Sequence, residues 1–171
     1  MILNSKIVSE LKTYGLIRSL NDPLLQSPEG IATIAKKAQT ENLLNDSRLK
    51  YLSKIFHNLL DSASKKKFTE NLLVLDSQHK PIGSANWLLV RKAALLHCGC
   101  MLICFNNERK ILITKRAENI SDPGTWDVSA GGGANTVHPL GLKENAIKEL
   151  FEEIFSATVE EIPASVEKYA G

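Results

Sequence analysis

The apolar residues of this chain change their spacing at Phe68, and that change limits the folds open to it. Before Phe68 they recur at intervals of three and four, which gathers them on one side of a helix. Ile31, Ile34, Ala35 and Ala38 obey this rule in SPEGIATIAKKAQTENLL, where Ser27 is the expected N-cap and Pro28 the first helical residue. A second helix is expected after Asp46 or Ser47, with Leu49, Leu52, Ile55, Phe56, Leu59 and Leu60 along one face. Ile7, Leu11 and Leu16 suggest a shorter helix ahead of both. After Phe68 the apolar runs are short and turn residues separate them. NLLVLDSQHKPIGSA reads as strand, polar turn and strand, and WLLVRKAALLHCG as a short helix. CGCMLICFNNERKILITKRA reads as a hairpin turning at Asn106, Asn107 and Glu108. Helices followed by strands predict an α+β chain, with a helical region over residues 1–67 and a mixed domain over 68–171.

Composition narrows the partners. With 43% hydrophobic and 23% charged residues the chain can bury a core. A net charge of +2 gives no pull toward nucleic acid, and the Lys65–Lys67 triplet reads as a solvated helix end. No apolar run reaches membrane-spanning length, and charge interrupts MILNSKIVSELKTYG too early for a secretion signal. Cys98, Cys100 and Cys104 are odd in number and share one apolar stretch, with no matching cysteine or histidine pair. They read as reduced thiols of a cytoplasmic protein rather than a disulfide framework.

The chemistry gathers in GGGANTVHPLGLKENAIKELFEEI. Glycines at 131, 132 and 133 allow a ligand to approach the backbone closely. On the helix that follows, Glu149, Glu152 and Glu153 are spaced three and four apart and so point to one side. Ala146, Ile147, Leu150 and Ile154 fall on the other, an expected sheet-facing stripe. Crowded carboxylates repel, and a hard divalent cation relieves that repulsion while bridging to phosphate oxygens. The same motif on a solvated helix needs no ligand at all.

Lys148-Glu149-Leu150-Phe151-Glu152-Glu153 resembles the core of the Nudix box, G-x5-E-x7-R-E-U-x-E-E-x-G-U, where U is aliphatic. Upstream, ILITKRAENISDPGTWDVSAGG is similar to the Nudix stretch that runs from a basic strand end through a Pro-Gly loop to Trp-Asp and Ala-Gly-Gly. The entry from Leu72 resembles the branch holding isopentenyl-diphosphate isomerases and their hydrolase relatives; GLKENAIKELFEE is closest to the thiamin-pyrophosphokinase-related Nudix proteins. The resemblance covers roughly residues 72–154 and implies an α/β/α sandwich with a mixed sheet, preceded here by the helical region.

It further implies that Glu149, Glu152 and Glu153, with the backbone at Gly132, hold Mg²⁺ or Mn²⁺, and that Glu152, Glu153 and Lys148 serve catalysis. Lys148 stands where the box has Arg and lacks its bidentate fork. Arg116, Lys115, Gly131 and Gly133 would lie near the phosphates. The activity so implied is hydrolysis of a small organic diphosphate, a nucleoside diphosphate derivative or a thiamin diphosphate-like compound, with no nucleic acid or membrane involved.

The pattern also departs from the box. Leu140 occupies the position of the early glutamate, Glu144 is out of register with it, and Phe155 replaces the closing glycine, which lets the helix run on. His138 reads as a loop residue. Only SATVEEIPASVEKYAG follows the helix, with Val159, Ile162 and Val166 for one more element, so the sandwich is expected to be incomplete at its C-terminal side and prone to self-association. A binding module with weak or no catalysis is the alternative reading. An isomerase is another, but TWDVS lacks the cysteine that those enzymes carry after the Trp.

Overall fold

The computed structural model describes residues 5–118, 122–134 and 141–155. They form two compact units, one within residues 5–98 and the other within 99–134 and 141–155.

The first unit is built from α1 (Ser5–Thr13), a 3-10 turn (Pro23–Gln26), α2 (Pro28–Thr40), α3 (Asp46–Leu59), α4 (Ser62–Lys67), β1 (Asn71–Leu75), β2 (Pro81–Asn86) and α5 (Trp87–Lys92). Helices α2 to α5 begin at side-chain caps that satisfy otherwise orphaned amides. Ser27 Oγ accepts from the Gly30 N–H at 3.0 Å, as its position before Pro28 predicts. The cap of α3 is Asn45, which accepts from the Arg48 N–H at 3.0 Å, so that helix starts at Asp46 itself. Asn, Asp and Ser cap about equally well, and a run of all three leaves the choice to the tertiary structure. Asp61 and Asn86 open α4 and α5 in the same way.

One core serves both the helices and the β1–β2 hairpin. Leu11, Ile31, Ile34, Leu49, Leu52 and Phe56 from the helices pack with Leu72, Val74, Ala85, Leu89, Val90 and Leu95, all of them buried. The composition change at Phe68 therefore marks the switch from helix to strand inside this unit, and the compact units divide near Cys98. Gln39 of α2 ties the layers together: its amide nitrogen donates to the Leu75 and Leu96 carbonyls at 2.9 and 3.3 Å, and its oxygen accepts from the Leu96 N–H at 2.9 Å.

The second unit holds β3 (Gly99–Leu102), β4 (Ile113–Lys115), β5 (Trp126–Val128), β6 (Ala130–Gly133) and α6 (Gly141–Ile154). The expected hairpin forms only between Cys104 and Leu112. Phe105 bridges Ile111, the Asn106 N–H donates to the Lys110 carbonyl at 3.0 Å, and the Leu112 N–H donates to the Cys104 carbonyl at 2.9 Å. Its arms then part, β3 pairing with β6 and β4 with β5, all antiparallel. Ser129 accounts for the parting. A regular ladder has a second bond, from the Cys104 N–H to the Leu112 carbonyl. Here the buried Ser129 hydroxyl stands between them, accepting from Cys104 at 2.7 Å and donating to Leu112 at 2.9 Å.

Helix α6 lies on the Cys100–Gly132 side of the β3–β6 ladder. The alternation of side chains along β3 and its extension puts Met101, Ile103 and Phe105 on the other side, and all three are exposed. Ile111, Ile113 and Trp126 are exposed as well. Among the described residues of this unit only Ser129, Ala130 and Ala134 are buried. The α+β character is thus as expected, and the described residues of this unit hold one helix with two small two-stranded antiparallel ladders. No described helix is long and apolar enough to cross a membrane. The positions of Leu140, His138, Val159, Ile162 and Val166 lie outside the described residues.

Candidate functional site

The acidic helix and the glycine strand meet along one line. Asn145, Glu149 and Glu153 are spaced four apart and so share a face of α6. They meet Gly133, Gly132 and Gly131 in turn. Asn145 Nδ2 donates to the Gly133 carbonyl and to Cys100 Sγ, each at 3.3 Å. The Glu149 carboxyl lies against Gly132, where a Cβ would fall 2.6 Å from Oε1 and closer still to the carboxyl carbon. Glu153 Oε2 accepts from the Gly131 N–H at 3.0 Å. The cradle exists only because residue 132 has no side chain.

This line corrects the expected orientation of the helix. The strand-facing residues are the polar Asn145, Glu149 and Glu153, while Ala146, Ile147, Leu150 and Ile154 are only partly buried. Bare glycine backbone gives an apolar stripe little to pack on and gives polar side chains amides and carbonyls to bond. Phe155 does not extend α6, which ends at Ile154, although the Phe155 N–H still donates to the Phe151 carbonyl at 3.2 Å.

The three glutamates do not converge on one point. Lys148 Nζ sits 3.0 Å from Glu152 Oε2 and 3.8 Å from Glu149 Oε1, linking that pair, and Glu153 turns to the strand. Glu152 and Glu153 are sequence neighbours, so they project about 100° apart. Among the described residues no three carboxylate, imidazole or thiolate side chains gather as a metal-binding group. Even so, the donor set suits a hard cation. Glu149 and Glu152 offer carboxylate oxygens around one positive charge, the Lys148 ammonium, and the cradle at Gly132 seats Glu149 on the strand.

The expected phosphate-side groups have partners of their own. Arg116 Nη1 pairs with Asp127 Oδ2 at 2.7 Å, diagonally across the β4–β5 ladder. The guanidinium, and secondly the Val128 N–H, hold the Asp127 carboxyl below the usual carboxylate range. Lys115 ends β4, exposed, opposite Trp126. The Gly131 amide goes to Glu153 and the Gly133 carbonyl to Asn145. Asn145 was not among the residues singled out by sequence. Its signal was its place one turn before Glu149 on the same face.

An acidic helix cradled on a triple-glycine strand, within an α+β chain, is the class of site defined here. Over 81 residues, 47% of its length, the chain is 30% identical to an uncharacterized Nudix hydrolase of Pseudomonas aeruginosa. The chain spans about half the length of that curated relative, 47% of it. No family model matches the chain, and no solved structure does.

Proposed function

We propose that the chain is a Nudix-type hydrolase that cleaves a small organic diphosphate with the help of Mg²⁺ or Mn²⁺. The observation that carries this reading is the Glu149 carboxyl seated on Gly132, with Lys148 bridging it to Glu152. The similarity to a Nudix hydrolase supports it from a separate direction. Its α/β/α sandwich and its domain over residues 68–171 belong to the same proposal.

Glu149 and Glu152 would hold the cation, with Glu153 and the Gly132 backbone beside them. Bound there, it neutralises phosphoryl charge and lowers the pKa of water. Glu152 is 40% exposed at its side chain, so it reaches solvent and can take the proton of an attacking water. The water oxygen bonds to phosphorus, the bridging P–O bond breaks, and the leaving phosphate departs with the electron pair. Lys148 holds Glu152 and Glu149 together through its ammonium until the cation takes its place between them. Before the cation binds, Glu153 is anchored on the Gly131 amide and helps set the height of α6 above the strand. Arg116 and Lys115 are the proposed phosphate contacts, Arg116 exchanging part of its bond to Asp127 for the substrate.

The test is phosphate release from a panel of diphosphates with and without Mg²⁺. Wild-type activity that needs the metal and falls sharply in Glu149→Gln and Glu152→Gln is the expected result. Activity that survives both substitutions overturns the reading, and metal binding without turnover favours a binding module.

A further inference from the structure

The geometry points to Asn145 as the positioning residue of this site, the group that sets where Glu149 meets the glycine strand. A helix advances about 6 Å over four residues and a strand about 3.3 Å per residue, so three contacts spaced 145, 149, 153 against 133, 132, 131 make α6 cross β6 obliquely. In such a crossing the two end contacts fix the middle one. The middle is Glu149 over Gly132, and the ends are Asn145 on the Gly133 carbonyl and Glu153 on the Gly131 amide.

The two ends differ in chemistry. Glu153 is a carboxylate that a bound cation can draw away from the Gly131 amide. Asn145 is neutral, so a cation leaves it in place. It also holds two elements at once, because the same Nδ2 reaches β6 through Gly133 and β3 through Cys100 Sγ. Cys100 in turn lies 3.6 Å from the Gly132 carbonyl, directly under the cradle. Asn145 therefore anchors α6 to the strand pair whatever Glu153 does, and only a side chain with an N–H at this length meets both acceptors.

The effect of Asn145 on turnover rests on the hydrolase reading; its effect on geometry does not. The experiment compares wild type, Asn145→Ala and Asn145→Gln by three measurements: Mn²⁺ affinity from electron paramagnetic resonance, site-resolved alkylation of the three thiols by mass spectrometry, and kcat against KM on the best diphosphate. Asn145→Ala is expected to weaken Mn²⁺ binding by about tenfold or more, as loss of a group that orients a metal ligand does. It should also speed alkylation of Cys100 severalfold while Cys98 and Cys104 keep their rates, and lower kcat more than it changes KM. Asn145→Gln, with its donor on a longer arm, should fall between, and it carries the test alone if the alanine variant does not fold. Wild-type Mn²⁺ affinity and an unchanged Cys100 rate in Asn145→Ala overturn the assignment. A wild type that neither binds Mn²⁺ nor turns over removes the hydrolase reading, and the Cys100 rate still decides whether Asn145 holds the helix.

Discussion

Gly132 and Glu149 compete for one small volume: the space where a side chain would start at residue 132 is filled by the carboxyl group of Glu149. Any Cβ there would sit 2.6 Å from Glu149 Oε1 and nearer to the carboxyl carbon, so either the glutamate or the strand must move. Gly132→Ala is therefore expected to displace Glu149 rather than merely stiffen the strand. A misplacement of about 1 Å at a reacting group can cost about 10²-fold in rate, and that is the loss expected for metal-dependent hydrolysis. Overpacking of this kind costs stability too, about 1–3 kcal/mol, read from urea unfolding. Steady-state kinetics checks the first number. A Gly132→Ala enzyme as active as wild type means the cradle plays no part in the chemistry.

Lys148 occupies the place between two carboxylates that a divalent cation would take. Its bridges to Glu152 and Glu149 are partly exposed, so each is worth about 1 kcal/mol at most. Lys148→Met removes the internal cation and leaves two like charges one turn apart, which lowers the melting temperature modestly in chelator. The same change removes a competitor for added metal. The stabilisation gained from millimolar Mg²⁺ should therefore be larger in Lys148→Met than in wild type. Thermal unfolding with and without Mg²⁺ measures both arms. A smaller Mg²⁺ gain in the variant contradicts the competition.

The helices were legible because their signals are local. Ser27 followed by Pro28 fixes the start of α2 by the chemistry of two adjacent residues, and the buried positions Ile31, Ile34, Ala35 and Ala38 follow from one helical period. The start of α3 was blurred by one residue because Asn45, Asp46 and Ser47 all make good caps. The parting of the long hairpin was not legible at all. It depends on one hydroxyl, Ser129, reaching residues 25 and 17 positions away, and no periodicity encodes a contact of that range. The glutamates of α6 were readable as a group, but their division between Lys148 and Gly131 was not. Which face a helix lays on a strand depends on what the strand offers, and three glycines offer backbone.

The Arg116–Asp127 pair gives the second unit a pH dependence with a definite sign. Asp127 titrates below its ordinary range in the folded chain because the Arg116 guanidinium and the Val128 amide favour its charged form. A depressed carboxyl adds stability that is fully present above its unfolded pKa, about 3.9, and is lost as the pH falls through the lower folded value. Asp127→Asn should therefore melt below wild type at neutral pH, and the gap should start to close only as the pH falls below about 4 toward the lower folded value. Melting curves between pH 7 and pH 3 check this. Two curves that stay parallel across the acid range show that the pair adds no proton linkage.

In the first unit, the most informative single side chain is Gln39, because it supplies a donor and an acceptor to the backbone at once. Leu96 N–H has the Gln39 oxygen as its partner, and the Leu75 carbonyl receives the Gln39 amide. Gln39→Leu keeps the bulk and removes all three of its bonds to Leu75 and Leu96, and stranding partly buried groups of this kind costs about 1–3 kcal/mol. Gln39→Glu separates the two roles. Its carboxylate can still accept from Leu96, but when ionised it faces the Leu75 and Leu96 carbonyls with no proton to give. Those carbonyls and the burial raise its pKa in the folded chain, so its deficit relative to wild type should be smallest in acid, where the protonated group donates again, and should grow as the pH rises through the folded pKa. Urea unfolding of wild type, Gln39→Leu and Gln39→Glu at pH 4.5 and at pH 7.5 separates these effects. A Gln39→Glu deficit that shrinks toward neutral pH means that the donor half of the glutamine is not what holds α2 to the strands.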